Sequence, residues 1–165
     1  NNEFTDLIGL DENFKSINID KAKTEGIEFF GKINSFNFLL FKLNYTYTNA
    51  VDKSKNSPDF GKKLLRRPIH RAALFIDYLI SDRADVNLEI IYVGEKDDKN
   101  FSTFPAQRIN LEAYTLLNIA GHYSLLKFLS LFARVENLLD TDYEEVYGYG
   151  TPGFSVFAGI KLNLF

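Results

Sequence analysis

The sequence predicts an all-β fold: a segment of an antiparallel transmembrane β-barrel with about eight strands, in which short turns alternate with long loops. Three observations support this. Segments of about ten residues alternate apolar and polar side chains, charged residues occupy the middle of the polar faces, and the connections alternate in length. Strands that cross a bilayer when tilted need about 9–11 residues, and only every second residue faces lipid.

The composition agrees with this fold and argues against other classes. Hydrophobic residues make up 45% of the 165 residues, yet the mean hydropathy is −0.16. No apolar run approaches the roughly 20 residues of a spanning helix, which excludes a helical membrane protein. The net charge of −3 and the scattered basic residues give no indication of nucleic-acid binding. Without cysteine, neither a disulfide framework nor a thiolate metal site can form.

The alternation is clearest in residues 36–48. Odd-numbered positions from Leu39 to Tyr47 are apolar or aromatic, whereas Lys42 and Asn44 lie on the other face. A period of two residues is typical of a strand with two different faces. The same pattern predicts the remaining strands, at 3–9 (the end of a strand), 17–30, 71–80, 85–94, 113–124, 129–137 and 154–165.

The connections between the predicted strands fall into two classes, short and long. Short links are predicted at 31–35, 79–85 and 124–127, and long connections at 10–16, 49–67, 94–112 and 138–153. Outer-membrane barrels of Gram-negative bacteria have short periplasmic turns and long extracellular loops, so we predict that location. Tyrosines near the strand ends are predicted to form the two aromatic girdles at the membrane interfaces: Tyr45, Tyr47, Tyr78, Tyr92, Tyr114 and Tyr123.

No catalytic constellation is visible. Carboxylate pairs occur only in the predicted loops, and there is no defensible Ser–His arrangement and no glycine-rich phosphate cradle. We therefore predict that the protein is not an enzyme and has neither a cofactor nor a metal site. The chain begins at Asn1 and contains no Met, which favours a fragment of a longer protein.

The stretch ARVENLLDTDYEEVYGYGTPGFSVFAGIKLNLF (133–165) resembles the C-terminal end of TonB-dependent receptors. The matching positions are Val135, Asn137, Leu138, Asp140, Tyr143, Gly150, Pro152, Gly153 and Phe165. The segments NIDKAKTEGIE (18–28), LNYTYTNAVDK (43–53), LLRRPIHRA (64–72) and YVGEKDDKNFSTFP (92–105) are similar to the family in the same order. The segment DYEEVYGYGTPG is especially similar to the cobalamin receptors of this family.

This resemblance implies a barrel of about 22 strands plugged by an N-terminal domain. Residues 1–165 would then be the C-terminal part of the barrel, without the plug. The implied partners are outer-membrane lipid, the rest of the barrel and plug, the TonB complex acting through the plug, and a cobalamin or ferric-siderophore substrate. The terminal Phe165 is similar to the signal by which the barrel-assembly machinery recognises outer-membrane barrels.

Candidate ligand-binding residues lie in the last two long loops, because loops held by a rigid scaffold carry binding groups. The aromatic candidates combine large apolar area with, in tyrosine, a polar tip. The set comprises Phe101, Phe104, Arg108, Tyr143, Tyr147 and Tyr149. The pair Arg66-Arg67 before Pro68 is interpreted either as a strand start at the interface or as a contact for lipopolysaccharide phosphates.

Two other functions fit the same pattern. Eight strands suffice to close a small barrel, which would act as an anchor or a porin-like protein. A soluble lipocalin-like carrier would turn the apolar face inward instead.

Overall fold

The computed structural model describes residues 2–10, 15–55 and 57–163. No helix occurs in these ranges, and so none has the length and hydropathy needed to cross a membrane. The strands are β1 (Asn2–Leu10), β2 (Ser16–Ser35), β3 (Leu39–Asp52), β4 (His70–Ser81), β5 (Ala84–Val93), β6 (Lys96–Asn100), β7 (Gln107–Leu111), β8 (Tyr114–Leu126), β9 (Leu129–Glu136) and β10 (Ser155–Leu162). The all-β prediction is confirmed.

Eight of these strands form one antiparallel sheet in the order β1-β2-β3-β4-β5-β8-β9-β10, while β6 and β7 form a separate hairpin. The first and last strands are therefore the two edges of an open sheet within the described residues. A closed eight-strand barrel requires these two strands to pair. This topology does not favour the self-contained small barrel.

The pairing register confirms the two predicted faces. Leu43, Leu74, Ile90 and Leu117 lie side by side across four strands on the apolar face. On the other face, the Lys42 ammonium contacts the Asp77 carboxylate at 2.9 Å. Further along this face Asn87 donates to the same carboxylate at 2.8 Å, and Asn118 donates to Glu89 at 2.8 Å.

The sheet is a wall of a single layer. Large apolar side chains on the apolar face are uncovered, for example Ile27, which is 68% exposed, and Ile160, which is 66% exposed. A soluble domain would bury such a face under a second layer, and a lipocalin-like barrel would enclose it. In a membrane barrel this face contacts lipid.

The short turns occupy residues 36–38, 82–83 and 127–128, at the end of the sheet opposite the long connections. The predicted link at 31–35 is wrong, because these residues continue β2 and pair with β3 as far as Ser35 opposite Leu39. Gly31 and Asn34 are common turn formers, which misled the prediction. The turn instead contains Phe36, whose φ of 60° is uncommon for a residue with a side chain.

Five of the six predicted girdle tyrosines lie on the apolar face. Tyr92 is near the loop end of its strand and Tyr78 and Tyr123 are near the turn end, whereas Tyr45 and Tyr47 lie in the middle part of β3, opposite the start of β4. Tyr114 is an exception: it pairs with Val93 on the polar face and is buried beneath the loops. The prediction for Tyr114 is therefore wrong.

The assignment of faces predicts opposite outcomes for two arginine substitutions. In the full-length protein refolded in lipid vesicles, Leu74→Arg places a charge among lipid tails and should lower the free energy of unfolding by about 2–4 kcal/mol. The matched control, Asn44→Arg, adds the same side chain on the polar face next to Lys42. Urea unfolding measures both. Equal losses would contradict the assignment of faces.

Candidate ligand-binding loop cluster

Three segments at the loop end of the sheet contact one another, and we call them the loop cluster: residues 53–69, 94–113 and 137–154. Their contacts are polar and link side chains that are far apart in sequence. The middle segment contains the β6–β7 hairpin, KDDKN paired with QRINL. This hairpin lies within the long connection predicted at 94–112, because its strands carry charges and lack an apolar alternation.

The centre of the loop cluster is Asp98, whose side chain is fully buried. Its carboxylate accepts hydrogen bonds from Arg66 Nε at 2.9 Å, from the Lys99 amide at 2.8 Å and from the Tyr147 amide at 2.9 Å. The three donors belong to the three segments of the cluster. A buried carboxylate is stable only when it is hydrogen-bonded or paired, so these contacts hold the segments together.

A second carboxylate, Asp59, joins the first segment to the hairpin. It lies 2.7 Å from Lys99 Nζ, 3.1 Å from Lys62 Nζ and 3.3 Å from Arg108 Nη1. Arg108 also contacts Asp97 at 2.7 Å and donates to the Lys63 carbonyl. The Arg108 guanidinium therefore stabilises the loop cluster through these contacts.

The hairpin and the last segment meet at Glu145. Its carboxylate lies 2.6 Å from Lys96 Nζ and accepts a hydrogen bond from the Tyr114 hydroxyl. The ring of Tyr143 packs on that of Tyr114, with 4.5 Å between the centroids. These contacts attach the last segment to the start of β8.

Three carboxyl groups of the cluster, those of Asp98, Asp59 and Glu145, have a lowered pKa. Burial alone would raise the pKa of Asp98, but the hydrogen bonds from the Tyr147 and Lys99 amides and from Arg66 hold it below its ordinary value. The pKa of Asp59 is also lowered, because Lys99 and Lys62 outweigh the effect of burial. For Glu145 the same balance, set by Lys96 and Tyr114, lowers the pKa.

Two side chains of the ENLLD stretch (136–140), those of Asn137 and Asp140, stabilise the last segment. Asn137, buried and at φ 49°, exchanges hydrogen bonds of 2.9 Å with the backbone of Thr141. Its own amide donates to the Asn118 side chain at 2.9 Å, which ties the turn to β8. Asp140 accepts from the Phe154 amide at 2.8 Å, and a Cβ at Gly153 would lie only 2.9 Å from that carboxylate. Both side chains therefore close the loop onto the sheet.

A cavity of about 640 Å³ opens between the hairpin tip and the last segment. Of the predicted ligand-binding residues, it brings together Phe101, Tyr147 and Tyr149. Arg66 also lines it, and the sequence analysis did not include that residue among the candidates. Arg66 uses Nε on Asp98, and its terminal nitrogens have no hydrogen-bond partner among the described residues.

The other predicted residues lie elsewhere. Phe104 is 75% exposed and does not line the cavity, Arg108 is held by carboxylates, and Tyr143 packs on Tyr114. Phe165 and most of the predicted loop at 10–16 are outside the described residues. Within the residues that are described, no group of three or more His, Asp or Glu side chains could hold a metal ion.

Removing the central charge should loosen the loop cluster. Asp98→Asn replaces one acceptor oxygen by an amide group that faces a donor, which costs about 1–3 kcal/mol in local stability. We expect about tenfold or greater loss of hydrogen-exchange protection at the Lys99 and Tyr147 amides. Asp82→Asn, in the exposed turn 82–83, is the control. Unchanged protection in Asp98→Asn would contradict the central role of this carboxylate.

The lowered pKa values also predict a pH dependence. A carboxylate with a depressed pKa stabilises the fold above its unfolded value, near 3.8 for Asp and 4.5 for Glu, and this contribution is lost as pH falls through the folded value. The cluster should therefore stay intact from neutral pH to about pH 5 and loosen below about pH 4. Near-ultraviolet circular dichroism of the Tyr114–Tyr143 pair reports the change. Loosening between pH 7 and pH 5 would be inconsistent with these shifts.

Comparison with known proteins agrees with the geometry. The model of the family described as TonB dependent receptor-like, beta-barrel matches residues 1–138. The match includes the sheet from β1 to β9 and most of the loop cluster, but it ends within the C-terminal stretch that first suggested the family.

Solved receptors share the fold. The siderophore receptor PiuA from Acinetobacter baumannii superposes with a TM-score of 0.77 at 15% identity, over 97% of this chain and 24% of that one. The ferric-catecholate import receptor Fiu from E. coli gives 0.74 at 19% identity, over 97% and 24%. The outer-membrane ferripyoverdine receptor of Pseudomonas aeruginosa gives 0.69 at 23% identity, over 90% and 20%.

The chain thus spans about a fifth to a quarter of the length of these receptors. The family match covers most of the chain, and the open sheet and long loops have the geometry that the family implies. The chain belongs to the TonB-dependent receptor β-barrel family and is part of an outer-membrane β-barrel of a Gram-negative bacterium.

Proposed function

We propose that this chain provides barrel wall and ligand-binding loops of a receptor that imports an anionic metal chelate of the siderophore type. The observation that carries this proposal is the cavity of the loop cluster, which Phe101, Tyr147, Tyr149 and Arg66 line together. Its volume of about 640 Å³ falls in the range of small-molecule sites.

The chemistry of the lining favours a ligand with both rings and negative charge. Aromatic side chains offer large apolar contact and a polar edge, and a guanidinium binds planar oxyanions through two parallel hydrogen bonds. The other charges at the cavity are already compensated, since Lys99 pairs with Asp59 and Glu145 pairs with Lys96. Arg66 pairs with Asp98 through Nε alone, so its terminal nitrogens remain available to a ligand.

The same reasoning separates two substrate classes. Ferric siderophores present carboxylate, catecholate or hydroxamate oxygens, which suit the guanidinium. Cobalamin, suggested by the similarity of DYEEVYGYGTPG, carries mostly amide side chains and gains less from a cation. We therefore propose a ferric chelate as substrate and treat cobalamin as the comparison ligand.

In this proposal the chain is the C-terminal part of the barrel and does not act alone. The open edges β1 and β10 would pair with the remaining strands, a plug domain elsewhere in the protein would contact the TonB complex, and Phe165 would serve the barrel-assembly machinery. The chain would bind and pass on its ligand without chemical change, as a receptor and not an enzyme. Its span of a fifth to a quarter of the solved receptors supports this division.

Equilibrium binding to the full-length receptor tests the proposal. Titration with ferric catecholate, ferric hydroxamate and cobalamin, followed by tyrosine fluorescence, should show binding of a ferric chelate. Phe101→Ala and Tyr149→Ala should each weaken it about tenfold, because each removes a ring from the cavity.

Phe104→Ala is the matched control, since this ring is exposed in the same hairpin but lies outside the cavity. Binding of cobalamin alone would refute the siderophore class. Equal loss in Phe104→Ala and Phe101→Ala would refute the cavity as the site.

A further inference from the structure

Three lysines lie on the lipid-facing side of the sheet at its loop end, and we call them the lysine patch: Lys21, Lys53 and Lys63. Each of them is exposed. The alternation of the strands fixes this orientation, since the residues next to Lys21 and Lys53, namely Ala22 and Asp52, are buried on the opposite, polar face. The patch therefore belongs to the outside of the wall.

Backbone pairing brings the three lysines together. The Lys53 amide donates to the Lys21 carbonyl at 2.9 Å, so these two residues lie opposite each other where β3 ends. Lys63 forms an isolated bridge with Val51, which precedes Lys53 by two residues on the same face. Opposite neighbours in a sheet have Cβ atoms about 5 Å apart and diagonal neighbours about 8 Å. The three flexible side chains can therefore reach one anion.

The lysine patch has no local counter-charge among the residues that the structure describes. None of its ammonium groups forms an ion pair or a hydrogen bond with them. Two acids of the same face lie beside Lys23 instead: Glu25 is 2.5 Å from its ammonium group, and Glu3 is its register partner in β1. Like charges directly opposite each other destabilise a sheet, so the pair of Lys21 and Lys53 favours a bound anion.

The patch continues the surface that contacts lipid. From the middle of β3 toward its end, this face carries Leu43, then Tyr47 beside His70, and then Val51 in the row of Lys63. Val51 lies four residues beyond Tyr47, which is about 13 Å along a strand and less in height when the strand is tilted. Tyrosine rings on such a face are typical of the membrane interface. The lysines therefore lie at the level of the lipid headgroups.

The two arginines that the sequence suggested for a contact with lipopolysaccharide do not lie on this surface. Arg66 extends to Asp98 and to the cavity of the loop cluster, which is the outer cavity of this end. Arg67 lines a separate cavity on the polar face, beneath the segment 53–69. At the loop end of β2 and β3, the positive charge that faces lipid comes from lysine.

We propose that the lysine patch binds the phosphate groups of lipopolysaccharide in the outer leaflet of the membrane. An ammonium group has three donors and attracts phosphate as a point charge, and each lysine near an anionic lipid surface adds to the attraction. The acyl chains of the same lipid would lie on the uncovered apolar face directly below. Charge and apolar surface thus match the two parts of one lipid.

This site does not depend on the ligand of the outer cavity or on the rest of the barrel. The patch lies on the outside of the wall, so a plug inside the barrel would not cover it. In the sheet it is flanked by β1 and β4, whereas further strands would join at the edges β1 and β10.

Native mass spectrometry of the full-length protein in detergent, titrated with bisphosphoryl lipid A, tests the site. The wild type should bind this lipid more tightly than the same lipid after enzymatic removal of its phosphates. Lys21→Gln combined with Lys53→Gln and Lys63→Gln should weaken binding of bisphosphoryl lipid A at least about tenfold, because three charges of the attraction are lost. Heat-modifiable migration on gels shows whether each variant is folded.

Lys32→Gln combined with Lys127→Gln and Lys161→Gln is the matched control. It removes the same number of charges from the polar face and from the turn end of the sheet. Loss of lipid binding in the patch variant alone supports the site. An equal loss in the control, or equal binding of the lipid with and without its phosphates, overturns it.

Two further measurements separate this site from other anion or ligand binding. Displacement of lipid A by inorganic phosphate at millimolar concentration would indicate a site for a soluble anion and would also overturn the proposal. Tyr149→Ala, which should weaken ligand binding in the outer cavity, should leave binding of lipid A unchanged. Failure of this proposal is thereby distinguishable from failure of the proposed function.

Discussion

The arrangement above the membrane depends on one buried carboxylate. Asp98 has no contact with solvent, so its charge must be compensated by donors inside the protein. Arg66, the Lys99 amide and the Tyr147 amide supply them, and these donors come from three segments and lie up to 49 residues from Asp98 in sequence. The loops therefore cannot adopt independent conformations. The shape of the outer cavity, which Arg66 and Tyr147 line, follows from satisfying this single charge.

The wall and the loops are stabilised by different means. In the sheet, backbone pairing and an uncovered apolar face suffice because lipid acts as the second layer. The loop cluster meets water and buries little apolar area; the buried apolar residues at this end are few and include Val93, Leu111 and Tyr114. In the loop cluster, ion pairs and hydrogen bonds to carboxylates provide the stabilisation that apolar packing does not. Charged side chains thus concentrate where hydrophobic packing is weakest.

The sequence was sufficient for the wall. Alternation of two faces and loop lengths are local signals, and they predicted the strands of the wall and its apolar face. It was less sufficient for the loops. Tyr114 is near the start of β8, but the alternation of that strand places it on the polar face, and contacts with Glu145 and Tyr143, some 30 residues away, bury it. Arg108 is a candidate ligand contact from the sequence, whereas in the structure it forms ion pairs with Asp97 and Asp59. Such partners are distant in sequence and leave no periodic pattern.

The distances in sequence that the loop cluster spans also set the order in which the chain can assemble. Arg108 meets Asp59, and Lys96 meets Glu145, each across 49 residues, whereas each hairpin of the wall joins neighbouring strands. Closing a long loop costs entropy that only the final contacts offset. We therefore expect the hairpins to form first and Asp98 to lose its water only when β3 to β10 are already side by side. Burial of this side chain would then mark a completed wall.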